Sequence, residues 1–239
     1  MDFDITSDYH KRQLKYPYQS TIELFRFANK YIEIKPDAKL LDVCCGAGSA
    51  SFYLAREFGV QSIIAADVNS ELLDIGMQYA QINGLCSNIA FAKEDIYNLT
   101  PYIRSLTFDG VVLMQTLSWL KNWRKAIDEI SKLNHGWLLL SSLFYEGRIE
   151  VSNEVRVYDL NGILSNKSPY NIYSIPITEA YLRGIGYKSV YWQRFNIGLD
   201  LYQKDTNRMG TYTVKTEDNL RLQFSGPLSM PWYFLLAQR

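Results

Sequence analysis

Short apolar runs alternate with helical patterns over the first 144 residues of the chain. The runs predict strands that are covered on both faces, at residues 39–43, 61–66, 89–92, 110–114 and 137–144. Between two of these runs, Leu72, Ile75 and Tyr79 recur at helical spacing, and a similar pattern fills residues 123–133. Strands that alternate with helices predict an α/β fold with a mostly parallel sheet and helices on both faces.

The two ends of the chain are less regular. Residues 1–19 are expected to be irregular or partly helical, and the capping-box pattern that starts at Ser20 predicts a helix before the first strand. Residues 145–176 have no clear period, which is typical of a lid or binding segment. A helix at 178–185 and a strand at 187–195 follow. Period-two alternation at 211–216 and 220–224 predicts a β-hairpin, and residues 232–237 predict a last strand.

Length and composition favour one globular domain. With 239 residues, 47% hydrophobic and 21% charged, the chain has room for one large α/β domain. We expect a helical cover at 1–35, a ligand-binding core at 39–144, and substrate-side elements with the C-terminal strands at 145–239. The formal net charge of zero disfavours nucleic acid as a partner. The 18 tyrosines, 11 phenylalanines and 5 tryptophans fit a large core, a pocket or a dimer interface, so monomer and homodimer stay open.

Cysteine usage and the apolar runs bear on location. Cys44, Cys45 and Cys86 show no metal-ligand spacing, so no metal site is predicted and the thiols are expected to be reduced. No run reaches the length of a membrane span, and the N-terminus lacks the apolar core of a signal peptide. A cytoplasmic protein without a membrane partner is therefore expected.

The candidate chemistry lies where the predicted strands end. Asp42 precedes a small-residue turn, Gly46-Ala47-Gly48, that leads into a helix, and glycines there let a ligand approach backbone N–H groups closely. Asp67 ends the second strand, Asp95 follows the third and Gln115 follows the fourth. In a parallel sheet these residues share the carboxyl edge, where ligands bind at the topological switch point. An acid after the second strand can accept ribose hydroxyls, and one after the third an adenine amino group.

In the order of its glycine loop and strand-terminal acids, the chain resembles the class I S-adenosylmethionine-dependent methyltransferases. The first motif of that family is matched by residues 41–48, its second and third acids by Asp67 and Asp95, and its fourth-strand motif by residues 108–115. One departure is that Cys44 stands where the first loop glycine is common. The resemblance implies a Rossmann-like seven-stranded sheet with an antiparallel last strand, together with the N-terminal helical cover and an extra C-terminal hairpin. It also implies S-adenosylmethionine as cofactor and S-adenosylhomocysteine as product.

On this resemblance the cofactor-binding residues are expected to be Asp42, Cys44, Gly46, Ala47, Gly48, Asp67, Val68, Asn69, Asp95, Ile96, Met114 and Gln115. For substrate binding, we expect Tyr18, Trp119 and Tyr145. No general base is evident. His10, Tyr16 and Glu146 are the candidates for a catalytic role, whereas His135 is expected to be structural or solvated.

The expected reaction is in-line methyl transfer to oxygen or nitrogen of a small molecule, because positioning alone can drive such a transfer. Two alternatives stay open. A binding subunit that has lost catalysis would explain the absence of a clear base. A nicotinamide-dependent oxidoreductase would use the same loop for pyrophosphate, but Asp42 places a negative charge near that loop and the third glycine of the dinucleotide-binding pattern is missing.

Overall fold

A computed structural model describes residues 7–203 and 209–239, so parts of the predicted N-terminal cover and of the C-terminal region lie outside the described residues. The strands are β1 (Lys39–Val43), β2 (Ser62–Asp67), β3 (Ile89–Lys93), β4 (Thr107–Met114), β5 (Asn134–Tyr145), β6 (Glu154–Tyr158), β7 (Leu164–Pro169), β8 (Tyr173–Ser174), β9 (Ser189–Phe195), β10 (Thr211–Lys215), β11 (Arg221–Ser225), β12 (Leu228–Ser229) and β13 (Trp232–Gln238). The helices are α1 (Ser7–Lys15), α2 (Gln19–Ala28), α3 (Ser49–Glu57), α4 (Ser70–Ile82), α5 (Pro101–Ser105), α6 (Trp123–Ser131) and α7 (Ile175–Gly184), with a 3₁₀ helix at Leu117–Trp119.

The central sheet has the order β3-β2-β1-β4-β5-β13-β9, and the two-residue β8 pairs with β5. Strands β1 to β5 are parallel, whereas β13 runs antiparallel to both β5 and β9. The predicted α/β class and the antiparallel last strand are thus confirmed. The strand order reverses between β1 and β4, so the crevice for a ligand is expected at their carboxyl ends.

Each face of the sheet is covered by its own apolar core. One core holds Leu14 of α1, Phe25 and Phe27 of α2 and Phe52 of α3, together with buried side chains of α4 and the sheet. The other core lies under α5, α6 and α7. Both faces are therefore covered, which explains why the parallel strands are almost wholly apolar. In the described part of the chain, no helix has both the length and the apolar character that crossing a bilayer requires.

Two long insertions lie at the carboxyl edge. One follows β5 and contains the antiparallel pair β6–β7, and the other follows β9 and contains the sheet β10-β11-β12. Since β9 runs parallel to β5, both insertions leave the sheet at the edge where the glycine loop lies. The hairpin predicted at 211–224 is confirmed, with Tyr212 opposite Phe224, and β12 adds a third strand.

Three local predictions were wrong. Residues 145–176 contain β6–β7 rather than an element-free segment, because the second strand is polar and without apolar alternation, so the short alternating first strand has no visible partner in the sequence. Helix α2 begins at Gln19, so Ser20 is not its cap, and the Ser20 hydroxyl accepts a hydrogen bond from Gln115 Nε2 instead (2.9 Å). His135 lies before the predicted start of the fifth strand at residue 137, but it belongs to β5, and its ring nitrogens are bonded to the Leu133 carbonyl oxygen and the Tyr187 hydroxyl. It is buried, as expected of a structural histidine.

Candidate functional site

The acid at the end of the first strand is buried beneath the loop. Asp42 is 1% exposed, and its Oδ2 accepts hydrogen bonds from the Ser51 hydroxyl (2.7 Å) and the Ser51 backbone N–H (3.2 Å). Burial raises the pKa of Asp42 to about 7; the Ser51 bonds oppose this rise, and the nearby Asp67 charge adds to it. Asp42 therefore ties β1 to the first turn of α3, and its charge depends on pH near neutrality.

The loop between β1 and α3 has three residues in the left-handed backbone region. Cys44, Gly46 and Gly48 have φ values of +56°, +58° and +87°. Glycine adopts this region freely, whereas a residue with a Cβ is strained there. Burial, followed by the nearby acids, raises the pKa of both the Cys44 and the Cys45 thiol well above the usual range. Cys44, where the chain departs from the family pattern, thus has a strained backbone and a protonated thiol.

Close packing under the loop depends on a glycine that the sequence analysis did not select. A Cβ built on Gly76 in α4 would lie 2.6 Å from the Ala47 carbonyl oxygen and 2.4 Å from the Phe91 ring. Only glycine lets α4 approach the buried Ala47 this closely. A glycine inside a helical pattern was the available signal.

The acid at the end of β2 connects the loop to the next helix. Asp67 Oδ2 accepts from the Gly46 backbone N–H (2.8 Å), and Oδ1 accepts from the Asn69 N–H (2.9 Å). The Asn69 side chain accepts hydrogen bonds from the N–H groups of Glu71 and Leu72, so Asn69 caps the N-terminus of α4. Val68 between them is 62% exposed. Asp67, Val68 and Asn69 thus form a ledge beside the glycine loop.

The third acid lies farther along the same edge. Asp95 is exposed, and its Oδ1 accepts from the Tyr97 N–H (2.9 Å), which fixes the turn after β3. Ile96 beside it is 5% exposed and packs in the core under α5 and α6. An exposed carboxylate beside a buried apolar residue is suited to the edge of a nucleobase.

The end of β4 is held by the first turn of α2. The Thr21 hydroxyl donates to Met114 Sδ (3.7 Å), and Gln115 Nε2 donates to the Ser20 hydroxyl (2.9 Å). Gln115 also has a left-handed backbone, with φ at +55°, and its N–H donates to the Ser141 carbonyl oxygen. The N-terminal cover therefore contacts the fourth-strand motif directly, which local sequence patterns could not indicate.

The candidate catalytic residues lie in three different surroundings. The His10 ring lies over the loop, with Cε1 2.8 Å from the position of a Cβ built on Gly46. Burial lowers the pKa of His10, and the Asp67 charge opposes this shift.

Tyr16 is 64% exposed, with the Lys15 ammonium over its ring. Glu146 is exposed and accepts a hydrogen bond from the Tyr233 hydroxyl, whose ring packs on the other face of the sheet. Only His10 is near the loop, and the catalytic roles stay predictions.

The candidate substrate residues are likewise separated. Tyr18 precedes α2 and is partly buried, and burial raises its pKa. Trp119 packs on Tyr170 with ring centroids 4.2 Å apart, in the same apolar core as Met114. Tyr145 is 49% exposed beyond the end of β5. The structure thus places Trp119 near the end of β4 and Tyr145 at the exposed end of β5.

Comparison with known proteins identifies the fold and a methyltransferase domain. Residues 40–134 match the family model described as a methyltransferase domain. A demethylmenaquinone methyltransferase of Bacteroides fragilis is 20% identical over 67% of this chain and 72% of its own length. Norajmaline N-methyltransferase of Rauvolfia serpentina is 29% identical over 46% of this chain and 37% of its own. The crystal structure of YcgJ from Bacillus subtilis shares the fold, with a TM-score of 0.61, 14% identity, and coverage of 91% of this chain and 98% of that one.

The matched segment contains the loop, the ledge and the end of β4, so the family model covers these parts of the site. Together with the motif order and the sheet topology, this match shows that residues 40–134 form a methyltransferase domain.

Proposed function

We propose that the chain transfers a methyl group from S-adenosylmethionine to oxygen or nitrogen of a small-molecule acceptor. The observation that carries the proposal is the pair of hydrogen bonds that the Asp67 carboxylate accepts from the Gly46 and Asn69 N–H groups (2.8 and 2.9 Å). These bonds fix the carboxylate beside the glycine loop, and each carboxylate oxygen keeps a lone pair for a ribose hydroxyl. The two relatives above, whose names describe a quinone and an alkaloid acceptor, support a small-molecule substrate.

The described residues fit this cofactor. The loop backbone at Gly46 presents no Cβ, Asp67 would receive the ribose, and Asp95 with the Ile96 N–H would receive the adenine. Asp42 lies one layer deeper and holds the loop against α3 through Ser51. The bound cofactor supplies an electrophilic methyl group on a sulfonium. The protein would hold the acceptor in line with it, and such positioning can lower a barrier by about 7–11 kcal/mol.

The same geometry argues against a dinucleotide. In a dinucleotide site the pyrophosphate binds N–H groups at the start of the first helix. Here the Ser51 N–H in the first turn of α3 already donates to Asp42, a carboxylate that would also repel the phosphates. A sulfonium with an amino-acid tail carries positive charge and suits this environment better.

Ligand-induced thermal stabilisation tests the proposal. We expect S-adenosylhomocysteine to raise the melting temperature, NAD to leave it unchanged, and Asp67→Ala to remove most of the shift. Asp109→Ala is the matched control, because Asp109 also accepts a backbone N–H, from Lys39 (2.7 Å), but at the opposite end of the sheet. It is expected to lower stability and keep the shift. A shift with NAD alone would contradict the proposal.

Turnover separates an enzyme from a subunit that only binds the cofactor. Transfer of label from S-adenosylmethionine to any member of a metabolite panel supports methyl transfer. Binding with no transfer across the panel would favour the binding subunit.

A further inference from the structure

We infer that Arg56 and Tyr79 are positioning residues that control how fast the cofactor enters and leaves the protein, because they hold helix α1 and its His10 over the glycine loop. Both side chains lie outside the proposed cofactor site. The inference rests on the methyltransferase function proposed above and names what controls access to the same site. Three observations support it: the place of α1 over the site, the position of the His10 ring, and the bonds that hold the C-terminal end of α1.

Helix α1 covers one half of the carboxyl edge. The edge divides at the switch point between β1 and β4 into a cofactor half, at the ends of β1, β2 and β3, and an acceptor half, at the ends of β4, β5 and β9. Asp42, Asp67 and Asp95 all belong to the cofactor half. Helix α1 packs against α3 and α4, which follow the glycine loop and the ledge. It therefore lies across the segments that would hold the cofactor.

One face of α1 both anchors the helix and covers the loop. His10 and Leu14 are four residues apart, so they lie on the same face, one turn from each other. Leu14 is 1% exposed and packs in the core that contains Phe52. The His10 ring leaves too little room for even a Cβ at Gly46, and it lies within reach of the Asp67 charge. Burial of Leu14 therefore places the ring at the entrance to the proposed cofactor site.

The C-terminal end of α1 is held by a clamp that consists of Arg56 of α3 and Tyr79 of α4. The Leu14 carbonyl oxygen, in the last turn of α1, accepts hydrogen bonds from Arg56 Nη1 and from the Tyr79 hydroxyl, both at 3.0 Å. Carbonyl oxygens in the last turn of a helix have no partner within the helix, and a cation is favourable at this end. The clamp therefore ties α1 to α3 and α4 together.

The two side chains of the clamp are also fixed to each other. Arg56 Nη2 donates to the Tyr79 hydroxyl (3.1 Å) and to Asn83 Oδ1 (3.3 Å). The guanidinium lies over the rings of Phe52 (5.7 Å) and Tyr79 (5.2 Å), which pack edge-on with centroids 5.0 Å apart. Since the donors are held in place, moving α1 away from the loop breaks both bonds to Leu14. The net strength of these bonds thus contributes to the free-energy cost of opening.

The kinetics of cofactor exchange test the inference. Association and dissociation rate constants of S-adenosylhomocysteine are measured by stopped-flow fluorescence for the wild type, Arg56→Met and Tyr79→Phe. The first variant keeps the aliphatic stem and the second keeps the ring, so each removes only donors of the clamp. We expect each to raise both rate constants about tenfold, the equivalent of one net hydrogen bond. Because α1 closes over both the free and the occupied site, the Kd should change less than about threefold.

Non-additivity with His10 separates this role from a merely structural one. In a His10→Ala background the entrance is already open, so Arg56→Met is expected to change neither rate constant. Arg183→Met is the matched control, because Arg183 is also exposed and donates to a backbone carbonyl oxygen, that of Lys188 (2.7 Å), at the opposite end of the sheet. It is expected to leave both rate constants unchanged.

Three results would each overturn the inference: wild-type rate constants in Arg56→Met and Tyr79→Phe, an equal effect of Arg56→Met with and without His10, or a similar effect of Arg183→Met. An unchanged association rate with a weaker Kd would do so as well, because the clamp would then act on affinity alone. A wild-type protein that does not bind S-adenosylhomocysteine contradicts the proposed function. Normal binding with unaltered exchange in the clamp variants contradicts only the role of Arg56 and Tyr79.

Discussion

The two halves of the carboxyl edge differ in how the chain leaves the sheet. On the cofactor half, β1 ends at Val43 and α3 begins at Ser49, and β2 ends at Asp67 and α4 begins at Ser70. On the acceptor half, β5 ends at Tyr145 and α7 begins at Ile175, while β9 ends at Phe195 and β13 begins at Trp232. Short connections fix backbone N–H groups and carboxylates by local geometry, and long ones place side chains through tertiary contacts.

This difference has an energetic counterpart. The cofactor half holds the buried carboxylate of Asp42 close to three loop residues with left-handed backbones, Cys44, Gly46 and Gly48. The acceptor half instead exposes apolar side chains at the tip of the β6–β7 pair, where Leu160 is fully exposed. Strain and buried charge concentrated on the cofactor half predict that substitutions there change stability more than comparable ones in the insertions.

The largest expected difference between the two halves is the pH dependence of the free energy of unfolding that Asp42 causes. Its pKa of about 7 in the folded protein lies above the value of about 3.9 in an unfolded chain. The folded state thus holds this proton more tightly, and the resulting stabilisation is lost as pH rises through about 7. Between pH 5 and pH 8, the ligand-free protein should lose stability relative to Asp42→Asn, by on the order of a few kcal/mol.

Urea unfolding of both proteins at several pH values measures this difference, and other titrating groups cancel because they are shared. Glu146→Gln removes an exposed acid on the acceptor half and serves as the surface control, with a smaller expected change in stability than Asp42→Asn at pH 8. Parallel curves for wild type and Asp42→Asn would show that the buried acid does not distinguish the two halves.

A pair of glycines compares the halves directly. Gly46 and Gly162 have φ values of +58° and +75°, so alanine is strained at both by about 1–2 kcal/mol. A Cβ on Gly162 has nothing within 4 Å, whereas one on Gly46 would meet the His10 ring and displace it from the loop. We expect Gly46→Ala to be more destabilising by about 1 kcal/mol, and to reduce the thermal shift with S-adenosylhomocysteine.

Thermal unfolding with and without S-adenosylhomocysteine measures both the loss of stability and the ligand shift of the two variants. Gly162→Ala is expected to keep the full ligand shift, because the β6–β7 turn lies on the acceptor half. Equal ligand shifts in the two variants would contradict the placement of the cofactor over Gly46.

The same contrast explains what the sequence could predict. The strands, the glycine loop and the acids at the strand ends were predictable because each depends on residues a few positions apart. The β6–β7 pair was missed because Asn166 and Ser168 give its second strand no apolar alternation. The prediction of a cap at Ser20 was wrong because the Ser20 hydroxyl accepts a hydrogen bond from a group far away in the chain, Gln115 Nε2. Contacts such as His10 with Gly46, or Trp119 with Tyr170, join segments far apart in the chain and have no local signature.

The smallest expected effect concerns Cys44, the residue that departs from the family pattern. Cys44 and Asn219 both have left-handed backbones, with φ at +56° and +61°, the first in the cofactor loop and the second in the turn between β10 and β11. Asparagine tolerates this region because its short polar side chain can hydrogen-bond locally, and a thiol side chain does not offer this compensation. Asn219→Gly should therefore change stability by less than about 0.5 kcal/mol.

At Cys44, glycine relieves strain of about 1–2 kcal/mol, and the greater freedom of glycine in the unfolded chain takes back about 0.5–1 kcal/mol. We expect Cys44→Gly to raise the free energy of unfolding by about 0.5–1 kcal/mol, measured as a higher urea midpoint at an unchanged slope. The neighbouring Cys45→Gly is the control, since Cys45 is not among the left-handed residues and gains no relief. A Cys44→Gly variant no more stable than Cys45→Gly would mean that packing of the Cys44 thiol outweighs the backbone strain, and the strain assigned to the cofactor half would then rest on the buried carboxylate alone.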